Sequence, residues 1–329
     1  MTPAGPHPYE ELTPDCVMAA LASAGVRPDG HLLALNSYEN RVYQVGVEDG
    51  APLVAKFYRP GRWSDAAILE EHAFAHELAV EEIPVVPPLV LDGRTLLDHG
   101  GFRFALFARR GGRWPELSSV SDREWIGRFL GRIHAVGRRD RFEHRPRLDV
   151  ERLGERPRAW LLASPWLPQH LRPAYEGVSA ELLRMIRATL AATPVSYLRV
   201  HGDCHLGNVL WTDAGPHFVD LDDCMMGPAL QDLWMLLSGT RGEMSEQLAQ
   251  VLQGYRRFAD FDPLELRWLE ALRSLRIMHY VGWVAQRYDD PAFPRAFPWV
   301  AEVRYWEQHV LNLREQLAAM EEPPLDLGA

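Results

Sequence analysis

The sequence predicts an α+β protein in two lobes, a small β-rich N-lobe and a larger, mostly helical C-lobe. Three observations lead there. Short β-like runs with turn signals crowd the chain before residue 108, and helical periodicity dominates after residue 112. One compact β-like insertion, within 197–221, interrupts those helices and carries the most chemically suggestive side chains. A chain of 329 residues can bury more than one core.

In order along the chain, Thr13-Pro14 reads as an N-cap with proline in the first turn and Gly25 as a stop, so a helix is expected over 14–24. β-like runs follow at 32–35, 41–47 and 53–58, with the hairpin signal Asp49-Gly50 between the last two. Ser64 caps a helix bearing Ile68, Phe74 and Leu78, which ends near Pro84. Strands at 95–97 and 102–107 complete an N-lobe spanning 1–108, with a hinge near 105–111. The C-lobe, 112–329, opens with a capping box from Ser121 to Glu124 and an apolar stripe of Trp125, Ile126, Phe129, Leu130 and Ile133. Residues 138–150 read as an Arg- and Pro-rich connection. Helices are expected near 178–192, 229–238, 245–257, 264–287 and 298–319, and strands at 197–200, 209–211 and 217–221.

Composition sets limits. Hydrophobic residues at 47% and charged residues at 24% are ordinary for a globular protein. A net charge of −10 argues against a nucleic-acid groove or an anionic membrane as partner. Cys16, Cys204 and Cys224 are odd in number and far apart, the usage of a reducing compartment. The opening MTPAGPHPYEEL has neither a basic nor an apolar leader segment, and apolar runs such as 233–237 are too short to span a bilayer. A cytoplasmic monomer is expected.

The segment His201-Gly202-Asp203-Cys204-His205-Leu206-Gly207-Asn208, followed by Phe218-Val219-Asp220-Leu221-Asp222-Asp223, carries the chemistry. Folded as a hairpin, it would bring Asp203, Asn208 and Asp220 to one point. Phosphoryl transfer to a hydroxyl needs such a trio: a carboxylate to orient the hydroxyl and take its proton, and hard oxygen ligands to hold Mg2+ against ATP phosphates. Asp-x4-Asn with a downstream Asp follows the logic of a kinase catalytic loop and its metal-binding aspartate. Asp203 is thus the expected base, with Asn208 and Asp220 the metal ligands. The bland reading is a loop whose Asp and Asn merely cap turns. A zinc site from His201, Cys204 and His205 lacks a fourth ligand nearby.

With its flanks, this segment resembles the aminoglycoside phosphotransferase and choline-kinase-like superfamily, whose fold is two-lobed and protein-kinase-like. Within it the chain is similar to the bacterial stress response kinase A group of serine/threonine protein kinases. The stretches LNSYENRVYQ, KFYRPGRW, ILEEH, LRVHGDCHLGNVLW, FVDLDD, GPALQDLWMLL and DPAFPRAFPW carry the closer likeness, from Leu35 to Trp299. The resemblance implies an ATP- and Mg2+-dependent kinase.

A lone lysine in an apolar strand is usually an edge residue reaching water. Leu53-Val54-Ala55-Lys56-Phe57, however, resembles the kinase third strand, whose lysine contacts the α- and β-phosphates. The partner of Lys56 is expected to be Glu71, which shares a helical stripe with Phe74 and Leu78, while Glu70 is expected to face solvent. No glycine-rich phosphate loop is present. Asn36-Ser37-Tyr38-Glu39-Asn40 stands between the first two strands, an ordinary turn by itself and a nucleotide loop with Ser37 at its tip by resemblance. Phe107 and Ala108, at the lobe boundary, complete the expected nucleotide contacts.

His201 is expected to orient the loop rather than act as base, and Asp232 to bond the loop backbone or merely charge a helix start. Asp222 and Asp223 are placed below Asp220, as aids to metal or attractants for a cationic acceptor. His72 and His76, flanked by Glu71 and Glu77, read as solvated helix surface. The aromatic loop 290–298 either lines an acceptor cleft or packs on the large lobe. The acceptor hydroxyl stays open between a protein serine or threonine and a small molecule such as an aminoglycoside, choline, homoserine or a sugar. A nucleotide-binding pseudokinase is disfavoured by intact Lys56, Asp203, Asn208 and Asp220.

Overall fold

The computed structural model describes residues 7–328, so the outer ends of the two expected lobes, at 1 and 329, lie outside the described residues. Helix α1 (Pro14–Ser23) is capped by Thr13, whose hydroxyl accepts the Cys16 N–H. Strands β1 (Pro28–Ala34), β2 (Arg41–Val47) and β3 (Leu53–Phe57) form a meander; Asp49, at φ 56°, supplies the left-handed residue of the β2–β3 turn. Helix α2 (Asp65–Val80) starts at Ser64, which caps the Ala67 N–H, and is followed by β4 (Leu97–His99) and β5 (Phe102–Ala108). The antiparallel sheet runs β1-β2-β3-β5-β4, placing Lys56 between Val42 and Ala105. Its core gathers Val17, Leu21, Val45, Phe57 and Phe104.

The larger half contains α3 (Val120–Gly137), α4 (Arg156–Ala163) and α5 (Arg172–Ala192) before the β insertion. Two short ribbons make that insertion: β6 (Leu198–Val200) with β9 (Met225–Gly227), and β7 (Val209–Thr212) with β8 (Gly215–Phe218). Then come α6 (Leu230–Leu233), α7 (Arg241–Tyr255), α8 (Leu269–Gln286), α9 (Ala292–Ala296) and α10 (Val303–Ala319). Helices α3 and α7 touch backbone to backbone: a Cβ on Gly127 would lie 2.0 Å from the Val251 carbonyl oxygen. Among the described residues no helix is long and apolar enough to cross a membrane.

Several boundaries differ from the sequence reading. The capping box of α3 is Ser119 with Asp122, two residues before the expected pair. Glu151–Ala163, unassigned from sequence, forms one π turn running into α4; Pro157 is tolerated because it sits in the first turn of α4. The strand expected over 217–221 ends at Phe218, because Asp220 takes a left-handed conformation (φ 61°, ψ 65°) and 221–223 form a 3-10 turn. That turn points the Asp220–Asp223 carboxylates back toward the N-lobe.

Candidate active site

Strand β6 delivers the chain into the His201–Asn208 loop, and a buried carboxylate fixes its start. Asp232 accepts the His201 and Gly202 N–H groups, each at 2.8 Å, and the His134 Nε2–H at 2.9 Å. It is therefore an anchor and not a solvated helix-start charge. The His201 ring is fully buried and donates from Nε2 to the Val219 carbonyl at 3.0 Å, tying this loop to the segment before Asp220. Gly202 (φ 85°) is required there, since a Cβ would meet the Asp223 carbonyl oxygen at 2.1 Å. The Asn208 amide donates to the Asp203 carbonyl at 2.9 Å, which leaves its oxygen for a cation.

The Asp203 carboxylate is paired with Arg276 of α8 and lies 3.5 Å from His205 Nε2. Burial alone would raise its pKa; the His205 and Arg276 contacts overcome that and hold it well below the usual carboxylate range. It is thus ionised throughout the physiological range. Arg276 escaped the sequence reading. The signal available was a stripe on α8 and its C-cap, where Arg276, His279, Trp283 and Arg287 recur at helical spacing.

Lys56 Nζ lies 3.2 Å from Glu71, 3.2 Å from Asp220 and 3.1 Å from Asp222. Burial disfavours its charge, but Asp222, Glu71 and Asp220 outweigh that and raise its pKa well above the usual lysine value. One ammonium among three carboxylates leaves Glu71 short of partners, and its carboxyl is pushed up, chiefly by burial. Asp222 is the best-served of the three. Arg62 pairs with it directly and with Asp223 at 2.6 Å, and Arg145 bonds the carbonyls of Asp222 and Cys224. Asp222 is accordingly held well below the usual range: its burial is overcome by Arg62, Lys56 and Arg145.

These contacts correct three expectations. Glu70 is not a free solvated side chain: half-buried, it accepts the backbone N–H groups of Glu143 (2.7 Å), His144 (2.9 Å) and Arg145 (2.7 Å). His72 is buried, bonded to Tyr58 Oη at 2.7 Å and Thr95 Oγ1 at 2.8 Å, and burial drops its pKa to about 3. Asp222 and Asp223 are engaged by Arg62 and do not form a free acidic patch for a cationic acceptor.

A cavity of ≈ 340 Å³ lies between the sheet and the β insertion. Ser37, Lys56, Glu71, Asn208 and Asp220 contribute its polar lining, and Phe107 and Ala108 stand at its edge of β5. Val42, Val54, Leu210 and Phe218 make apolar walls. Asp203 is not part of that lining. A second hollow of ≈ 490 Å³, beside α2 and β4, includes His76 but none of the residues expected to bind nucleotide or metal or to act as base. Among the described residues no group of three or more His, Cys, Asp or Glu is arranged to hold an ion unaided. Mg2+ does not demand one, because it takes one or two protein oxygens and completes its shell with phosphates and water. The Asn208 and Asp220 oxygens suit it.

The β1–β2 loop is held from the C-lobe. Tyr38 packs edge-on against Phe297 (centroids 4.9 Å apart), and Glu39 pairs with Arg287 at 2.6 Å and accepts from Trp283 Nε1. Asp290 reaches Arg41 at 2.5 Å and Arg59 at 3.0 Å. The 290–298 segment thus packs on Trp283 of the large lobe and also clamps the small one.

Residues 31–269 match the model of the phosphotransferase enzyme family. The chain is 44% identical over 319 residues, 97% of each protein, to stress response kinase A of Escherichia coli K12. It is 42% identical over the same share to serine/threonine protein kinase RdoA of Salmonella typhimurium. Solved structures share the fold at lower identity. The amicoumacin kinase hAmiN superposes with TM-score 0.74 at 19% identity, covering 95% of this chain and 96% of that one. A microcompartment-associated aminopropanol kinase gives 0.69 at 20%, covering 95% and 99%. Fold, matched length and identity agree: the chain is a phosphotransferase, and it belongs to the stress response kinase A group of the phosphotransferase enzyme family.

Proposed function

We propose that this chain transfers the γ-phosphoryl group of ATP to a serine or threonine hydroxyl of a protein. The observation that carries the reading is the meeting of Lys56, Glu71, Asn208 and Asp220 at one cavity, with the ionised Asp203 held apart from its lining. In this reading Lys56, steadied by Glu71, grips the α- and β-phosphates, and Ser37, Phe107 and Ala108 contact the nucleotide. Asn208 and Asp220 hold Mg2+, which when bound neutralises charge on the β- and γ-phosphate oxygens. Asp203 accepts a hydrogen bond from the acceptor hydroxyl and takes its proton as the oxygen–phosphorus bond forms and the β–γ bridge breaks to release ADP. Lobes divided at 108–112 would close over the nucleotide. Three free thiols suit a reducing compartment such as the cytoplasm.

The test is γ-phosphate transfer from Mg·ATP to a mixed panel of proteins and small hydroxyl compounds. Protein phosphorylation that falls about 10²–10⁴-fold in Asp203→Asn, with ATP binding retained, is the expected result. Transfer only to small molecules would overturn the protein acceptor, and undiminished transfer by Asp203→Asn would overturn the base.

A further inference from the structure

Arg152 sits in the π turn before α4, and among the described residues its guanidinium has no carboxylate within ion-pair distance. Its Nε is buried without a hydrogen-bond partner, and its nearest polar contact is Met225 Sδ, 3.8 Å from Nη2. The adjacent Glu151 pairs with Arg156 at 2.8 Å, and Asp149, three residues before Arg152, spends its Oδ1 on the Arg152 backbone N–H at 2.7 Å. Asp223 is nearby but already paired with Arg62. Burial lowers the Arg152 pKa; the charges of Asp223 and Asp149 offset this only in part, and Arg62 and Arg145 add repulsion. Buried charges are normally paired, because the unpaired state is costly. Arg62, Arg145, Arg276 and Arg287, by contrast, each have an acid or carbonyl oxygen within reach.

The position of Arg152 gives the missing partner a meaning. The Met225 side chain that touches Arg152 also covers Gly202, next to Asp203: a Cβ on Gly202 would be 3.0 Å from Met225 Cε. His279, one turn along α8 from Arg276, has Arg152, Asp223, Arg62 and Arg287 as its charged neighbours. Arg152, Arg276 and His279 lie outside the lining of the ≈ 340 Å³ cavity. Arg276 reaches Asp203 directly and Arg152 comes to its loop through Met225, on a side that the nucleotide reading leaves unused. We propose that Arg152 receives an anionic group, a carboxylate or phosphate, carried by the acceptor beside the hydroxyl that Asp203 serves. The inference rests on the phosphoryl-transfer reading and adds the acceptor's charge to it. A guanidinium fork matches either anion through two parallel N–H bonds, and the same guanidinium repels polycationic or quaternary-amine acceptors.

The experiment uses matched probes titrated calorimetrically into the full chain with Mg2+ and a non-hydrolysable ATP analogue. One pair is a serine heptapeptide flanked by Asp and Glu against its Asn and Gln counterpart; the other is glycerol 3-phosphate against glycerol. Wild type is expected to bind the anionic member of at least one pair roughly 10- to 100-fold more tightly, the scale of a charge-assisted bond. The pair that shows the preference tells whether the anion belongs to a protein segment or to a small molecule. In Arg152→Met the ratio should collapse to near one, while Arg152→Lys keeps part of it. Without ligand, Arg152→Met should melt above wild type, since it removes an unpaired, half-buried charge whose Nε has no partner. The inference is overturned if wild type shows no preference in either pair, if the ratio survives in Arg152→Met, or if that variant melts lower and both members weaken equally. Mg·ATP titration of the wild type scores the nucleotide reading separately.

Discussion

Glu70 offers the sharpest quantitative test, because helix periodicity alone would call its substitution silent. Its two carboxylate oxygens accept three backbone N–H groups from residues 143–145, so α2 of the small lobe is stitched to a loop that follows α3. In Glu70→Gln one oxygen becomes an NH2 that faces at least one of those donors. The best rearrangement keeps the two bonds at Oε2 and loses the Glu143 bond. Hydrogen bonds to charged groups contribute about 1.5–3 kcal/mol, neutral ones about 1 kcal/mol. Losing one bond and weakening two gives about 2.5–7 kcal/mol at full strength, and solvent access at these partly exposed groups brings this down to about 1–3 kcal/mol. For a chain of this size that is roughly a 2–6 °C fall in Tm. The third donor belongs to Arg145, whose side chain holds the Asp222 and Cys224 carbonyls, so the KM for Mg·ATP should rise as well. Thermal unfolding followed by circular dichroism, with ATP titration on the same samples, reads both effects. A Tm within about 1 °C of wild type together with unchanged KM would refute the stitch.

Three further outcomes are expected. Lys56→Met and Glu71→Gln should each lower kcat/KM, but the double variant should lose little beyond Lys56→Met, because the two residues touch; a double-mutant cycle measures this, and full additivity would separate them. Arg276→Gln removes one of the contacts that depress the Asp203 pKa, so the acid limb of the pH–rate profile should move to higher pH; an unmoved limb would deny Asp203 the role of base. Glu265 is raised to about 7 by burial despite the Leu230 N–H it accepts, so its folded pKa exceeds its unfolded one and its contribution declines as pH rises from about 4.5 through 7. Glu265→Gln should therefore be the more stable protein at pH 8, by at most about 3 kcal/mol, and near parity at pH 5; urea midpoints that differ equally at both values would contradict this.

What could be read in the sequence was what local chemistry encodes. Ser64 announces α2, and the Glu71, Phe74, Leu78 stripe turns Glu71 inward, so the Lys56–Glu71 contact followed from spacing within one strand and one helix. Asp203, Asn208 and Asp220, of which the fold puts the last two on the cavity and the first outside its lining, stood out because their types and spacing lie within one short stretch. The arginines did not, since each reaches its target across a long stretch of chain: Arg276 to Asp203 over 73 residues and Arg62 to Asp222 over 160. An isolated arginine looks like solvated surface whether or not a carboxylate awaits it. The same limit misled the reading of Glu70 and His72, which lie where a surface face was expected and are covered by residues 143–145 and by Tyr58 with Thr95.

The glycine-free β1–β2 loop shows how distant residues can replace a local signal. A glycine-rich loop can approach phosphate closely because it lacks side chains, and it is mobile for the same reason. Here Ser37 lines the cavity with its hydroxyl bonded to the Asn40 carbonyl at 3.1 Å, while its neighbours point outward into anchors. Tyr38 lies on Phe293 and Phe297, and Glu39 is held by Arg287 and Trp283. A glycine at either position would delete an anchor. In the role proposed for Ser37, the order of the loop therefore comes from α8 and the 290–298 segment, more than 240 residues further along the chain in the case of Trp283. The β1–β2 loop, α8 and the 290–298 segment are then parts of one packed unit. That is why no glycine signature marks the loop, and why DPAFPRAFPW, which has no chemistry of its own, belongs with the site.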